Sequence, residues 1–335
     1  MSTTMQGTQS TETITYKQAI TRGLADALEA DERVFLFGED VAAAGGAFKV
    51  TEGLYERFGD RRVRDTPISE QAIVGTAIGA AIQGLRPVAE IMFADFAGVC
   101  FDGIANELPK YRYMTGGQVS LPVTIRLGNG AGAGFGAQHS QPVENWFLNV
   151  PGLKIVVPAT PADAYGLLRA AIEDPDPVLY FEHKHLFNLK GELPQPGPIA
   201  EIGKAEVVRA GTQVTVIATQ LMVHRALEAA EQLASEDVEV EVIDMRTLAP
   251  LDLHTVGESV DRTNRLVVAQ EASRDGSWGA TVIARLLADR FESLDAPPLM
   301  VGGDDTPIPY SGALESLWLP SAERIADGVR RTLAY

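Results

Sequence analysis

Asp65-Thr-Pro-Ile-Ser-Glu70-Gln-Ala-Ile-Val-Gly75-Thr-Ala-Ile-Gly79-Ala-Ala81 is the segment around which the rest of the chain can be read. Its first residues lead into a helix expected to run from Glu70 to about Gln83. That helix carries one acid, in its first turn, and small and apolar side chains dominate the remainder. Gly75 and Gly79 lie four apart, so one face lacks side chains and another backbone can approach it closely. Such a face costs a free-standing helix about 1 kcal/mol per glycine relative to alanine, which a tight subunit or domain interface would offset. Considered alone, Glu70 is a helix-start carboxylate favoured by the macrodipole.

On both sides of this helix, helical and strand patterns alternate as α/β folds require. Ala19, Ile20, Leu24, Ala27 and Leu28 recur at helical spacing, and Val34-Phe35-Leu36-Phe37 reads as a buried strand closed by Gly38. A turn-rich stretch follows from Ala42 to Lys49. Beyond the glycine helix come a strand at 87–91, a helix at about 98–110, strands at 123–126 and 155–157, a helix at 161–173 and a strand at 178–181. Prolines 194, 196 and 198 then break the alternation, and residues 191–203 read as a linker. A second unit follows, with strands at 214–218, 238–243 and 266–268 and helices at 222–235 and 278–290. The expectation is two α/β domains, 13–190 and 204–335. A polar, disordered lead-in over 1–12 precedes them, without the basic and apolar regions of a signal peptide.

The formal charge of −17 argues against a nucleic-acid binder, because phosphate neutralisation needs clustered Lys and Arg. It suits a protein that docks a basic partner, and equally an acidic proteome with no partner implied. Cys100 is the only cysteine. It leaves no intramolecular disulfide or cysteine-based metal site and points to a reducing, cytoplasmic setting. Lying in the apolar run 96–101, it reads as a buried small hydrophobe. No segment approaches the roughly 20 consecutive apolar residues of a membrane span.

Three further segments bear on chemistry. Glycine stands at every second position from Gly128 to Gly136, as in a dinucleotide-binding loop, but Gln138-His139-Ser140-Gln141-Pro142 follows where a helix should begin. The better reading is a flexible or ligand-hugging loop that presents His139; the plain one is a satisfied structural histidine. Glu90-Ile-Met92-Phe93-Ala-Asp95-Phe96 is a strand end whose Met and Phe read as packing. His183 and His185, two apart in a strand, share a face, and without a third ligand they make no zinc site.

Taken in order, these segments resemble the β subunit of the 2-oxo acid dehydrogenase first component (E1β), the family of pyruvate, branched-chain 2-oxo acid and acetoin dehydrogenases. The matching pieces are Asp65–Glu70, Gly84-Leu-Arg-Pro87, Glu90–Phe96, Lys110–Gly117, Ala137–Gln141, Pro151–Lys154, Asp244–Pro250 and Asp305–Tyr310. The resemblance implies a thiamine-enzyme pyrimidine-binding domain followed by a transketolase C-terminal-like α/β domain. It implies an α2β2 heterotetramer with an E1 α subunit, which oxidatively decarboxylates a 2-oxo acid and passes the acyl group to the lipoyl group of an acyltransferase (E2) core. By it, Glu70 hydrogen-bonds the aminopyrimidine ring of thiamine diphosphate, Phe96 packs on that ring, and Ile68 and Met92 are apolar neighbours. His139 matches the active-site histidine that binds substrate or hands on the acyl group. Family members often hold potassium with backbone oxygens; the matching positions are Val123, Ala171, Ile172, Asp174 and Asp176, the last standing where asparagine is common.

Thiamine enzymes hold Mg²⁺ and the diphosphate with Gly-Asp-Gly and later asparagines. Gly59-Asp60-Arg61 and Gly303-Asp304-Asp305 both lack the third glycine, so the resemblance assigns metal and diphosphate to the α subunit. Phe93–Asp102 and Glu182–Leu186 lean toward the acetoin branch, and Lys110-Tyr-Arg-Tyr113 toward the branched-chain type. Competing readings are a catalytically silent scaffold subunit of the same complex, against which Glu70 and His139 both stand, and a dinucleotide-binding oxidoreductase. In some relatives the C-terminal domain receives a basic domain of the acyltransferase; the net charge and Glu292, Asp295 and Glu323 motivate the same expectation here.

Overall fold

The computed structural model describes residues 10–335. The chain enters through β1 (Ser10–Thr15), and Thr15 caps α1 (Tyr16–Ala30): its hydroxyl accepts from Gln18 N while Gln18 accepts from Thr15 N, satisfying two donors at the helix start. The apolar set at 19, 20, 24, 27 and 28 is buried throughout. Then follow β2 (Val34–Gly38), α2 (Leu54–Phe58), β3 (Val63–Asp65), α3 (Glu70–Ile82), β4 (Arg86–Ile91), α4 (Tyr111–Met114), β5 (Thr124–Asn129), β6 (Lys154–Val156), α5 (Pro161–Glu173) and β7 (Val178–His183). The second half runs β8 (Lys190–Gln195), β9 (Glu206–Arg209), β10 (Val214–Ala218), α6 (Leu221–Ala234), β11 (Val240–Asp244), β12 (Thr247–Ala249), α7 (Leu253–Thr263), β13 (Leu266–Ala269), α8 (Trp278–Arg290), β14 (Leu299–Val301), α9 (Gly312–Trp318) and α10 (Ala322–Leu333).

Strands β6, β7, β5, β4, β2 and β3 lie side by side and parallel, and β12 crosses from the second half to pair antiparallel with β6. A parallel sheet covered on both faces needs near-continuous apolar strands, and β5 and β7 are buried at every residue. The second sheet, β14-β13-β10-β11-β9, is parallel except for β9. Both apolar clusters draw on both halves: Ile20 and Leu168 share one with Val216 and Met222, and Ile91 and Phe181 share the other with Ile217 and Trp278. Ligands of open parallel sheets bind beyond the carboxyl ends of the strands; here the ends of β4 and β5 deliver residues 92–96 and 130–139.

Several expected elements are corrected. The lead-in expected over 1–12 overlaps β1 at residues 10–12, while residues 1–9 lie outside those described. The linker expected over 191–203 opens with β8, antiparallel to β1, because Ile14 and Leu193 bury their side chains there. Pro194 is tolerated because the ribbon has only two strands, both of them edges. The helix expected at 98–110 is a 3₁₀ turn (Ala94–Gly98) running into a π-helix (Asp102–Glu107). Gly98 and Gly103 weaken a regular helix, and Gly103 seats so closely that a Cβ would lie 2.8 Å from Val74 Cγ1 of α3. Strands β9, β12 and β14 and helix α9 are short and fall outside the expectation, and so do α7 and α10, although the apolar spacing of Ile325, Ala326 and Val329 in α10 is that of an amphipathic helix. No helix among the described residues is long and apolar enough to cross a membrane.

Candidate active site

Helix α3 places Glu70 at its first position with 7% exposure, and no hydrogen bond reaches its carboxylate among the described residues. Glu39, just past β2, is 8% exposed and its Oε1 has no partner. Burial first, and then the Glu70 charge, push Glu39 above the usual carboxylate range. A buried carboxylate without a donor is costly unless it holds a proton or a ligand completes it. Cys100 is buried in the turn that follows Phe96: its thiol donates to Phe96 O at 3.7 Å, and burial, then Glu70, push it up to about 12. At that value it stays a protonated, unreactive thiol, in keeping with its reading as a small hydrophobe.

His139 is half-buried against two rings, its centroid 4.5 Å from that of Phe93 and 5.1 Å from that of Phe96. Phe93 in turn meets Phe48 at 5.7 Å and Phe135 at 5.5 Å. Asp95 ties the strand end to the histidine loop, its Oδ1 accepting from Gln141 N at 3.2 Å and Nε2 at 2.8 Å. Its Oδ2 is buried without a partner. Met92 is half-buried beneath the loop, its carbonyl 2.7 Å from where a Gly128 Cβ would stand. Ile68, by contrast, is 82% exposed. The fold thus brings Phe96 and His139 together and sets Glu70, after β3, at the same end of the sheet, whereas nothing among the described residues covers Ile68. Sequence reasoning did not single out Glu39, Phe48, Asp95 or Phe135. Only Glu39 carried a usable signal, its place at the carboxyl end of a buried parallel strand.

The glycine loop, read as flexible or ligand-hugging, is held by contacts from other parts of the chain. A Cβ on Gly130 would lie 2.1 Å from His183 Nε2, so the backbone lies directly on that ring. Glu271 and Glu315, from the second half of the chain, accept from loop N–H groups. The two histidines do not share a strand face, because β7 ends at His183. His183 is buried with Nε2 2.6 Å from Glu271 Oε1, while His185, in the following 3₁₀ turn, is exposed with Nδ1 2.9 Å from Gly132 O. Beneath the loop, Asn129 and Asn145 donate to Glu144, whose carboxyl burial nonetheless pushes up to about 7.

A carboxyl raised in the folded state stabilises fully below its unfolded value of 4.5, and that contribution disappears as pH rises through about 7. Relative to Glu144→Gln, the parent protein is therefore expected to lose on the order of 2 kcal/mol between pH 5 and pH 8. Denaturant midpoints across that range measure it, and parallel curves for the two proteins would refute the assignment.

The positions matched to potassium gather where α5 ends and β7 begins. Arg86 Nη1 donates to Ile172 O at 2.8 Å and Asp174 O at 3.3 Å, Val178 N to Val123 O at 2.9 Å and Asp174 N to Ala171 O at 3.4 Å. Asp176 is paired with Arg112. A guanidinium therefore already brings positive charge to two of these carbonyls. No group of three or more His, Cys, Asp or Glu able to hold a metal occurs among the described residues. On α3, Gly75 and Gly79 border open space, and Ala72 and Thr76 beside them are exposed. A helix this apolar is ordinarily covered.

Known proteins resemble this chain along almost its whole length. The transketolase pyrimidine-binding domain family matches residues 12–190, and the transketolase C-terminal domain family residues 203–325. The chain is 47% identical over 330 residues to the acetoin:2,6-dichlorophenolindophenol oxidoreductase subunit beta of Cupriavidus necator, covering 96% of this chain and 97% of that one. It is 46% identical over 324 residues to the 3-methyl-2-oxobutanoate dehydrogenase subunit beta of Mycobacterium tuberculosis, covering 96% and 93%. With the pyruvate dehydrogenase E1 component subunit beta of Bacillus subtilis it shares 41% identity over 323 residues, covering 96% and 99%. Among solved structures, a split gene transketolase described as an inactive beta4 tetramer superposes with a TM-score of 0.79 at 26% identity, covering 96% of this chain and 98% of that one.

Proposed function

This chain belongs to the E1 β-subunit family of thiamine-dependent 2-oxo acid dehydrogenases, and on that premise we propose that Glu70 and His139 are its catalytic residues. The observation that carries the reading is the placement of two buried acids, Glu39 after β2 and Glu70 after β3, at the same end of the sheet as Phe93 and Phe96, which flank His139. Those residues fit the pyrimidine half of thiamine diphosphate: an acid without a protein donor, and apolar faces from Phe96, Met92 and Ile68. When bound, that cofactor supplies the electron sink that loss of CO₂ from a 2-oxo acid requires. The acyl carbon is oxidised as the lipoyl disulfide is reduced to one thiol and one thioester.

The rest falls to this chain's own groups. Glu70 holds a proton at its carboxyl oxygen against the pyrimidine, in a site dry enough to strengthen that bond. Glu39, raised first by burial and then by the Glu70 charge, is the second acid at this end of the sheet. His139 donates a ring N–H to the substrate or acyl oxygen, with the rings of Phe93 and Phe96 packed against its imidazole.

We assign Mg²⁺ and the diphosphate to the α subunit of an α2β2 complex, supported by the incomplete Gly-Asp-Gly sequences at 59 and 303. The open face of α3 and the exposed Ile68 support a subunit contact there. A potassium ion at the 171–176 turn would have to share the carbonyls of Ile172 and Asp174 with Arg86. Docking of a basic E2 domain would rest chiefly on Glu292, since Glu323 is paired with Arg330 and Asp295 with Arg265. The single buried cysteine supports a cytoplasmic setting.

Co-expression with the α gene and a panel of pyruvate, branched-chain 2-oxo acids and acetoin tests the reading by cofactor-dependent dye reduction. One substrate class is expected to turn over. His139→Ala is expected to cut acylation of a lipoyl domain about 100-fold, the scale of a lost acid–base or positioning group. Undiminished acylation by that variant, or turnover by this chain without the α subunit, would overturn it.

A further inference from the structure

The loop that presents His139 is gripped by the far end of the chain. Glu315 on α9, 3% exposed, accepts from Gly132 N at 2.8 Å on one oxygen and from Gly134 N at 3.0 Å on the other. Glu271, just past β13, accepts from Ala131 N at 3.2 Å. Packing reinforces the grip: Ala131 forms a small apolar cluster with Ile308 and Trp318, and the Tyr310 ring lies 3.0 Å from where a Gly136 Cβ would stand. Alternating glycines give the loop little preference of its own, so whatever holds its N–H groups sets its shape.

We propose that Glu315 is a positioning residue, whose two-oxygen grip on Gly132 and Gly134 fixes the loop and thereby the placement of His139 for acyl transfer. The inference rests on the reading of His139 given above. A buried carboxylate accepting two backbone N–H groups makes charge-assisted bonds with no water to compete. Glutamine in its place offers one acceptor and turns a donor toward the second N–H, so volume is kept while one bond becomes a repulsion. Aspartate keeps the charge and shortens the reach.

The test uses the complex with its α subunit, carrying Glu315→Gln, Glu315→Asp or His139→Ala. Amide hydrogen exchange over residues 130–138 is expected to rise about tenfold or more in Glu315→Gln, with α10 unchanged. In the same variant, kcat for lipoyl-domain acylation is expected to fall about 10–100-fold with KM for the 2-oxo acid unchanged, and Glu315→Asp to recover part of the loss. Unchanged exchange in the loop overturns the grip. Raised exchange with undiminished acylation overturns the positioning role. Raised exchange throughout the second half assigns Glu315 to the fold and overturns the inference too. Should His139→Ala acylate normally, the reading of His139 fails on its own, and the exchange result still decides whether Glu315 holds the loop.

Discussion

A complex carrying Glu70→Gln is expected to turn over its 2-oxo acid about 10²–10⁴-fold more slowly than the parent enzyme, the range an acid–base group contributes. Glutamine matches glutamate in size and keeps the first turn of α3 filled, so what disappears is the proton-holding oxygen. Folding should not suffer, because the replaced group is a buried carboxylate with no donor among the described residues, and a neutral amide is cheaper to bury. Glu39 should also titrate closer to its ordinary range, since the Glu70 charge is the second cause of its upward shift after burial. The measurement is kcat for dye reduction alongside the melting temperature of the complex. Activity within tenfold of the parent with an unchanged melting temperature would remove Glu70 from the chemistry and leave it a helix-start carboxylate.

The same helix shows what a sequence can disclose. Its start, its apolar character and its side-chain-free face are all local properties, and α3 runs over Glu70–Ile82 much as its spacing predicts. Helix α5 is equally legible, since Thr160 caps it by accepting from Asp163 N and Pro161 stands in its first turn. The π-helix at 102–107 was not legible because its cause is Gly103 lying against Val74, a contact made only in the folded state. Nor was β12, whose three residues join a sheet built mostly by the other half of the chain. In the site, Phe96 and His139 are each singled out by family resemblance, not by periodicity, and that their rings meet emerges only from the fold. Glu315 and Gly132 are 183 positions apart, and no local pattern signals a carboxylate destined to cap a distant loop.

The other large effect is expected in stability, at a group the sequence left equally silent. Arg126 lies within β5 at 1% exposure, opposite Glu90 of β4 in register, and Glu182 of β7 completes the set. Its Nη1 is 2.6 Å from Glu90 Oε2 and its Nε 2.5 Å from Glu182 Oε1. Burial works against the guanidinium charge, but Glu182 and Glu90 outweigh it and hold Arg126 protonated. Replacing a whole buried ion cluster with neutral groups is often nearly free, whereas removing one member costs about 3–5 kcal/mol because charge is left without a partner. Arg126→Met should therefore destabilise by about that amount, near 10 °C in melting temperature for a chain of this size. The cost should shrink at pH 5, where the stranded carboxylates can take up protons, and adding Glu90→Gln and Glu182→Gln should restore most of it. Because β4 and β5 run directly into Met92, Phe96 and the His139 loop, activity should fall and recover in step with stability. A loss below about 1 kcal/mol for Arg126→Met at pH 8 would mean that the two acids find other partners, and that the sheet beneath the site does not depend on this charge.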